Sequence, residues 1–272
     1  MEIKNDSRLY QIGKGVAETG NYRLYLCRDG PKECLLQIAT SVEYNGELQR
    51  AAYILRELQR RADELEEEYA LVKTNPDAML NYGLGFPELV DSFVYQEQGG
   101  RWINILAFRS IEDIGKLVPL LNITEKDRLR VDLRTSAWIM GKYLKLFVFT
   151  HSEGISIGLN SGNNILIEPD QHYVVIFDWT AAQIRSEKIP VETRRQEISQ
   201  AAQAVITALG GNLETGTFPD DGDKNSTKYA DYLLQLARGN ESNAKRAHAK
   251  FYELIDSLWK REYYPFTTKL LG

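Results

Sequence analysis

The sequence contains few of the residues that metal centres, disulfide scaffolds and membrane spans require. Cysteine occurs twice and histidine three times in 272 residues, with no Cys-x-x-Cys pair, which argues against a zinc site. No apolar run approaches the roughly 18 residues of a membrane helix. The first fifteen residues also contain no long apolar segment, so we expect neither a membrane span nor a secretory signal.

The scarcity of cysteine also indicates a cytoplasmic protein. Cys27 and Cys34 flank the turn-forming residues "RDGPKE", so we expect them to face each other across a hairpin. A disulfide between them is one interpretation. Two reduced thiols in a cytosolic protein are the favoured one.

Positive charge is not in excess. The chain has 33 basic and 38 acidic residues, a net charge of −5 and a pI near 5.4, which excludes an overall basic surface for nucleic acid but not a local patch. Hydrophobic residues make up 43% and charged residues 26%, as in an ordinary globular protein with a sizeable core. We therefore expect no nucleic-acid partner and no membrane partner.

Apolar periodicity predicts an α+β protein in two parts. Alternation over 8–40 and again over 86–110 predicts strands and hairpins, and helical spacing over 44–73 predicts one long helix between them. The later chain is predicted to be helical except for a small hairpin at "NILIE" and "YVVIFDW", with helices at about 125–150, 192–209, 226–238 and 241–259. The expected organisation is a small antiparallel β-rich lobe at 1–109 and a helical lobe at 110–272.

The long helix carries an apolar stripe with two interpretations. The stripe either packs on the helix's own sheet or extends beyond the domain and pairs with a partner helix, which makes 44–73 the expected surface for a protein partner. Its members are Leu48, Ala51, Leu55, Leu58, Ala62, Leu65, Tyr69 and Val72.

The order of these elements, with four motifs, resembles the bilobal protein kinase-like fold. The stretch "IGKGVAETGNYRLYL" contains Gly13, Gly15 and Gly20, which resemble the glycine-rich loop over the ATP phosphates. The strand "ECLLQIA" places Gln37 where kinases have a phosphate-binding lysine, and a neutral amide brings no positive charge there. The glutamate that partners this lysine falls at Ala51 or Ala52, with Glu47 one turn away as the alternative.

The third motif is "HSEGISIGLNSGNNILI", whose two ends keep the kinase-like spacing without a gap. This alignment places Ile157 and Gly158 at the loop histidine and arginine, and Leu159 at the catalytic aspartate, which handles the substrate proton. Ser161 replaces the loop lysine. Asn164 matches the magnesium-binding asparagine.

The fourth motif is "VVIFDWTAA", in which Asp178 matches the metal-binding aspartate of the kinase Asp-Phe-Gly turn. The resemblance thus implies ATP and Mg²⁺ as cofactors, with Asn164 and Asp178 as metal ligands, and the loss of the lysine predicts weak or absent binding. The residues that the resemblance assigns to the nucleotide are Gly13, Lys14, Gly15, Gly20, Gln37 and Phe108.

Because Gln37, Ala51 and Leu159 stand where the catalytic side chains belong, the sequence favours a pseudokinase that acts as a protein-binding scaffold or allosteric regulator. One alternative is an atypical ATP-dependent transferase in which Lys14 supplies the missing charge and Glu153 or Asp170 acts as acid or base. Another is a metabolite-sensing relative of small-molecule kinases. The segment after Asp178 is short and lacks an Ala-Pro-Glu motif, which argues against a protein-substrate platform.

Overall fold

The computed structural model describes residues 1–75, 79–158, 164–220, 222–260 and 262–271. The chain forms two compact units. The first is Met1–Lys116 together with Asp178–Ala182, and the second is Leu117–Phe177 together with Gln183–Gly272. The sequence placed the boundary after residue 109; the structure divides the chain after Lys116 and adds a short later segment to the first unit.

A six-stranded antiparallel sheet forms most of the first unit. Its strands run in the order β1-β2-β3-β4-β6-β5. They are β1 (Glu2–Asn5), β2 (Arg8–Glu18), β3 (Tyr22–Asp29), β4 (Lys32–Ala39), β5 (Glu88–Tyr95) and β6 (Arg101–Ala107). The two hairpins expected over 8–40 and 86–110 are confirmed, and β1 is an addition that the sequence did not predict.

Side chains alternate between the two faces of this sheet. One face carries the cluster Ile3, Tyr10, Cys27, Cys34, Leu36, Ile38, Ile103, Ile105 and Ala107. The cysteines lie directly opposite each other in the β3–β4 register, as the turn signal predicts, and both are buried free thiols.

The other face of the sheet packs against the long helix α1 (Asn45–Val72), whose bounds agree with the prediction. The buried side chains of α1 are Leu48, Ala51, Ala52, Ile54, Leu55, Leu58 and Ala62. The first two thirds of the apolar stripe are therefore core. Leu65 and Tyr69 are half-buried, and Val72 is exposed.

The second unit is mainly helical. Its helices are α2 (Leu120–Glu125), α3 (Leu133–Ser152), α4 (Val191–Ala208), α5 (Ser226–Ala237) and α6 (Ala244–Leu258). Short strands complete it: β7 (Val118–Pro119), β8 (Leu129–Val131), β9 (Ile155–Ser156), β10 (Ile165–Glu168), β11 (Tyr173–Ile176), β12 (Gln183–Ile184) and β13 (Thr268–Leu270). They form one three-stranded sheet, β11-β10-β7, and the pairs β12-β9 and β13-β8.

The helix predicted over about 125–150 is wrong at its start. Arg128 has a positive φ of 56°, β8 follows it, and Asp132 accepts a hydrogen bond from the Thr135 amide at 2.8 Å as the N-cap of α3. An amphipathic pattern does not reveal that the chain turns before the cap. Farther along α3, Gly141 lets α6 approach closely, because a Cβ there would lie 3.1 Å from the Tyr252 hydroxyl.

No helix in the described part of the chain is long and apolar enough to cross a membrane.

Candidate functional site

The glycine-rich segment is a strand rather than the predicted loop. Gly13 and Gly15 lie inside β2, which continues to Glu18, and only Gly20 lies in the turn before β3. Register shifts between Ile12 and Gly15 and between Gly15 and Ala17 mark bulges in β2. Gly13 has a local steric reason, because a Cβ there would approach the Leu26 carbonyl oxygen to 3.3 Å.

Gln37 lies in a buried polar network instead of an open pocket. Its side-chain oxygen accepts a hydrogen bond from the Asn104 amide at 3.2 Å, and the same amide donates to the Leu48 carbonyl of α1 at 3.0 Å. The Ser92 hydroxyl and the Trp102 indole N–H both donate hydrogen bonds to the side-chain oxygen of Asn104. Gln37 is 3% exposed. Its side-chain oxygen therefore serves as a hydrogen-bond acceptor for the buried Asn104 amide.

The helix residues expected to replace the glutamate partner behave as core. Ala51 and Ala52 are both buried in α1. Glu47 is engaged elsewhere, since its carboxylate accepts a 2.7 Å hydrogen bond from the Asn21 side chain in the turn between β2 and β3. The alternative in which Glu47 partners Gln37 therefore receives no support from its described contact.

The carboxylate of Asp178 is held by protein donors within the first unit. Its Oδ2 accepts from the Tyr22 hydroxyl at 3.1 Å, and its Oδ1 accepts from the Thr180 amide at 2.9 Å and the Thr180 hydroxyl at 2.7 Å. Burial, followed by the Asp178 charge, raises the pKa of Tyr22, so the phenol stays protonated as a donor.

The segment Asp178–Ala182 is fixed to the first unit by two further contacts. Arg50 of α1 donates from Nη2 to the Thr180 carbonyl at 2.7 Å and from Nε to the Ala182 carbonyl at 3.1 Å. The Trp179 ring is fully buried and packs edge-on against Phe86, with centroids 6.1 Å apart. Trp179, at the position of the kinase phenylalanine, is thus an anchor of this turn.

In the second unit, the predicted loop is described only at its ends. Leu159 and Ser161 lie outside the described residues. Asn164 directly precedes β10. Its carbonyl accepts a hydrogen bond from the Phe177 amide at 3.0 Å, which extends the β10–β11 pairing by one residue at the end away from the turn. Asn164 belongs to the second unit and Asp178 to the first.

A buried acid that sequence reasoning did not identify holds the start of this loop. Glu197 of α4 accepts from the amides of Ile157 at 2.5 Å and Gly158 at 2.8 Å, and its other oxygen lies 2.8 Å from His151 Nε2. Its one sequence signal is its position on the apolar face of α4, because a buried carboxylate requires donors. Glu197 therefore holds the backbone at Ile157 and Gly158, which the kinase-like alignment assigns to the loop histidine and arginine.

Steric crowding explains why the "HSEGI" motif has a glycine at position 154. Its φ is +71°, and a Cβ would lie 2.6 Å from the Arg185 carbonyl oxygen. Its own carbonyl accepts the Arg185 amide at 3.0 Å, next to the β9–β12 pair. The glycine is required by backbone packing.

The remaining two assigned residues lie apart from the Gln37 network. Lys14 is exposed in β2 and lines a depression of about 370 Å³ with Gln11, Gly13 and Cys27. Phe108 is buried after β6 and lines a different open depression. No group of three or more His, Cys, Asp or Glu residues is arranged to hold a metal ion within the described ranges.

Comparison with known proteins identifies the fold. No family model and no curated protein matches the chain. Among the solved structures that match, vaccinia related kinase 3 superposes with a TM-score of 0.60 at 14% identity, over 95% of this chain and 90% of that one. At this identity the likeness shows the fold alone: the chain has the α+β, bilobal, protein kinase-like fold that its motif order predicts.

Proposed function

We propose that this chain is a kinase-like protein without kinase activity and that it works by binding another protein. The observation that carries the proposal is the engagement of Asp178, whose two oxygens accept hydrogen bonds from Tyr22 and Thr180. In active kinases the matching carboxylate coordinates magnesium. Here three of the roughly four acceptor positions of the carboxylate are taken by Tyr22 and Thr180, so a metal would compete with these donors.

Among the residues assigned to the nucleotide, Gln37 does not fit magnesium-ATP held in the kinase manner. Gln37 brings no positive charge and is buried against Asn104, so it offers little to a phosphate. The first unit instead uses its catalytic positions for packing and internal hydrogen bonds. The chain keeps the kinase-like fold, while the side chains at these positions belong to the core. This combination supports a binding role.

Thermal denaturation with ATP, with and without magnesium, tests this proposal. We expect the presence of magnesium to produce no added stabilisation. A ligand at 100 times its Kd would stabilise the protein by about 2.7 kcal/mol, so magnesium-dependent stabilisation of that size would contradict the proposal. Phosphate transfer from labelled ATP, abolished by Asp178→Ala, would contradict it independently.

Tyr22→Phe is the sharpest variant for the same question. It removes one donor from Asp178 and leaves the aromatic packing in place. If Tyr22 and a cation compete for the carboxylate, this variant gains magnesium-dependent binding that the wild type lacks. Tyr25→Phe, on the same strand and half-buried, is the matched control.

The partner surface that we propose is the far end of α1. Leu71 is 87% exposed and Val72 75% exposed, and Met79 is also exposed after the helix ends. Glu67 and Glu68 beside them are exposed and acidic. Apolar residues flanked by acids suit a basic amphipathic helix as partner.

Fluorescence anisotropy with a labelled lysine- and leucine-rich helical peptide tests this surface. Leu71→Ser with Val72→Ser should abolish binding, because both changes remove apolar contact area without adding charge. Val42→Ser, at an exposed apolar residue elsewhere in the first unit, is the control and should bind normally. Equal binding of an acidic peptide of the same pattern would refute the assignment.

A further inference from the structure

The second unit contains an aromatic cavity that the kinase-like motifs do not use. It has a volume of about 250 Å³ and lies where α3, α6 and the chain after α6 meet the turn before β11. Most of its walls are rings, and they come from Trp138, His172, Phe251, Tyr252, Trp259, Tyr263 and Tyr264. Two of the four tryptophans of the chain line this one cavity.

The rings are arranged as a stack. The His172 ring lies parallel to Trp138, with centroids 4.9 Å apart and planes within 12°, and it also lies parallel to Tyr263, with centroids 5.0 Å apart. Tyr263 is nevertheless 75% exposed. These rings offer planar surfaces to a ligand, and an aromatic ligand can stack on them.

Two polar atoms in this stack lack a hydrogen-bond partner among the described residues. Trp138 Nε1 and His172 Nε2 are both shielded from solvent and have no acceptor or donor. A buried N–H without an acceptor is destabilising, because it has lost its hydrogen bond to water. A ligand that supplies an acceptor at Trp138 Nε1 would remove that cost, provided that the exposed Tyr263 ring shifts to admit it.

The charges around the cavity favour an anion. Arg134 and Lys260 line it, and its one acidic lining residue, Glu262, is already paired with Arg134 at 3.4 Å. Lys142, one turn beyond Trp138 on α3, is close enough to His172 to help burial lower the pKa of that imidazole, although Glu168 opposes it. A cationic guest is disfavoured, since Arg134 already covers the Tyr264 ring at 4.2 Å.

We propose that this cavity binds a small planar aromatic molecule that carries an acidic group. The ring stacks on the aromatic walls, the acidic group faces Arg134 and Lys260, and a ring acceptor takes the Trp138 N–H. The volume of about 250 Å³ lies just below the usual range of ligand pockets, which limits the guest to a single aromatic ring system. The site lies entirely in the second unit and is independent of Asp178.

Isothermal titration of the full chain with AMP and with 4-hydroxybenzoate tests the proposal. At least one of them should bind. Ribose 5-phosphate lacks the ring, cyclohexanecarboxylate lacks aromaticity and benzamidine reverses the charge, so each should bind more weakly than the probe it matches. If neither aromatic anion binds, or a control binds as tightly as its probe, the proposal is overturned.

Two exposed substitutions then locate the site without threatening the core. Lys260→Glu should weaken binding of the aromatic anion about fivefold, and the assignment would be overturned if Tyr263→Ala left the affinity unchanged. Lys250→Glu, an exposed lysine on α6, and Tyr53→Ala, an exposed tyrosine in the first unit, should leave it unchanged. AMP bound at a nucleotide site in the first unit would be insensitive to Lys260→Glu, and that result would also overturn the assignment.

A single-stranded oligonucleotide is the last probe, because it offers the same rings and charges on a polymer. Binding of the oligonucleotide that is tighter than that of AMP and 4-hydroxybenzoate would overturn the assignment to a small molecule.

Discussion

A single buried carboxylate, that of Glu197, accepts hydrogen bonds from the backbone directly after β9. Its three contacts reach His151, Ile157 and Gly158, which are about forty residues away in the sequence. The kinase-like alignment predicts that the loop after β9 lacks the catalytic side chains, and the buried acid holds the backbone at its described start.

Two substitutions of Glu197 distinguish the contribution of its hydrogen bonds from the contribution of its negative charge. Glu197→Ala should destabilise the protein by at least about 3 kcal/mol, because it leaves buried amides and an imidazole unpaired. Glu197→Gln keeps an oxygen for the two amides and should cost about 1 kcal/mol. Urea denaturation measures both, and equal losses would show that the amides do not depend on this oxygen.

Acid sensitivity should arise partly from Glu241, which precedes α6. The paired Arg246 guanidinium, helped by the amides of Ser242 and Asn243, lowers the Glu241 pKa to about 2. A lowered pKa gives stability that is complete above the unfolded value near 4.5 and is lost as the pH falls toward 2.

The matching variant makes this measurable. Glu241→Gln should lower the unfolding free energy by about 2 kcal/mol at neutral pH, a figure reduced for the exposure of Arg246. The difference from wild type should shrink toward zero as the pH falls through the window. Glu253→Gln, exposed on the same helix, should show no such pH dependence.

At the scale of elements, α1 has one end in the core and one end in solvent. Leu58→Ala should destabilise the protein by about 2 to 5 kcal/mol, since the residue is fully buried. Leu71→Ala, more than three turns farther along the helix, should change stability by less than about 0.5 kcal/mol. Thermal denaturation of the two variants compares them directly, and similar losses would show that the helix end is also core.

The elements themselves could largely be predicted from the sequence, and the site only in part. Alternation and helical spacing identified β3, β4, β6 and α1, because each pattern reflects burial along one local segment. The contacts of Tyr22 and Arg50 with 178–182 could not be predicted, since their partners lie more than 100 residues away. Gly13 and Gly15 were misread because a bulged strand and a glycine-rich loop have similar compositions.

At the scale of the whole molecule, acidic composition governs solubility. The net charge of −5 and the pI near 5.4 predict a solubility minimum close to that pH, where repulsion between molecules is weakest. Light scattering across a pH series should peak near pH 5.4 and decline on both sides. A peak well above neutral pH would contradict this expectation.

The assignment of Asp178–Ala182 to the first unit has a consequence during synthesis. The ribosome releases residues 1–116 first, then 117–177, and only then the short segment that carries Trp179. At ordinary elongation rates this delay lasts several seconds. During this time the contacts of Phe86 with Trp179 and of the Arg50 guanidinium with the Thr180 carbonyl cannot form. The nascent first unit therefore completes its packing only after residues far downstream have been synthesised.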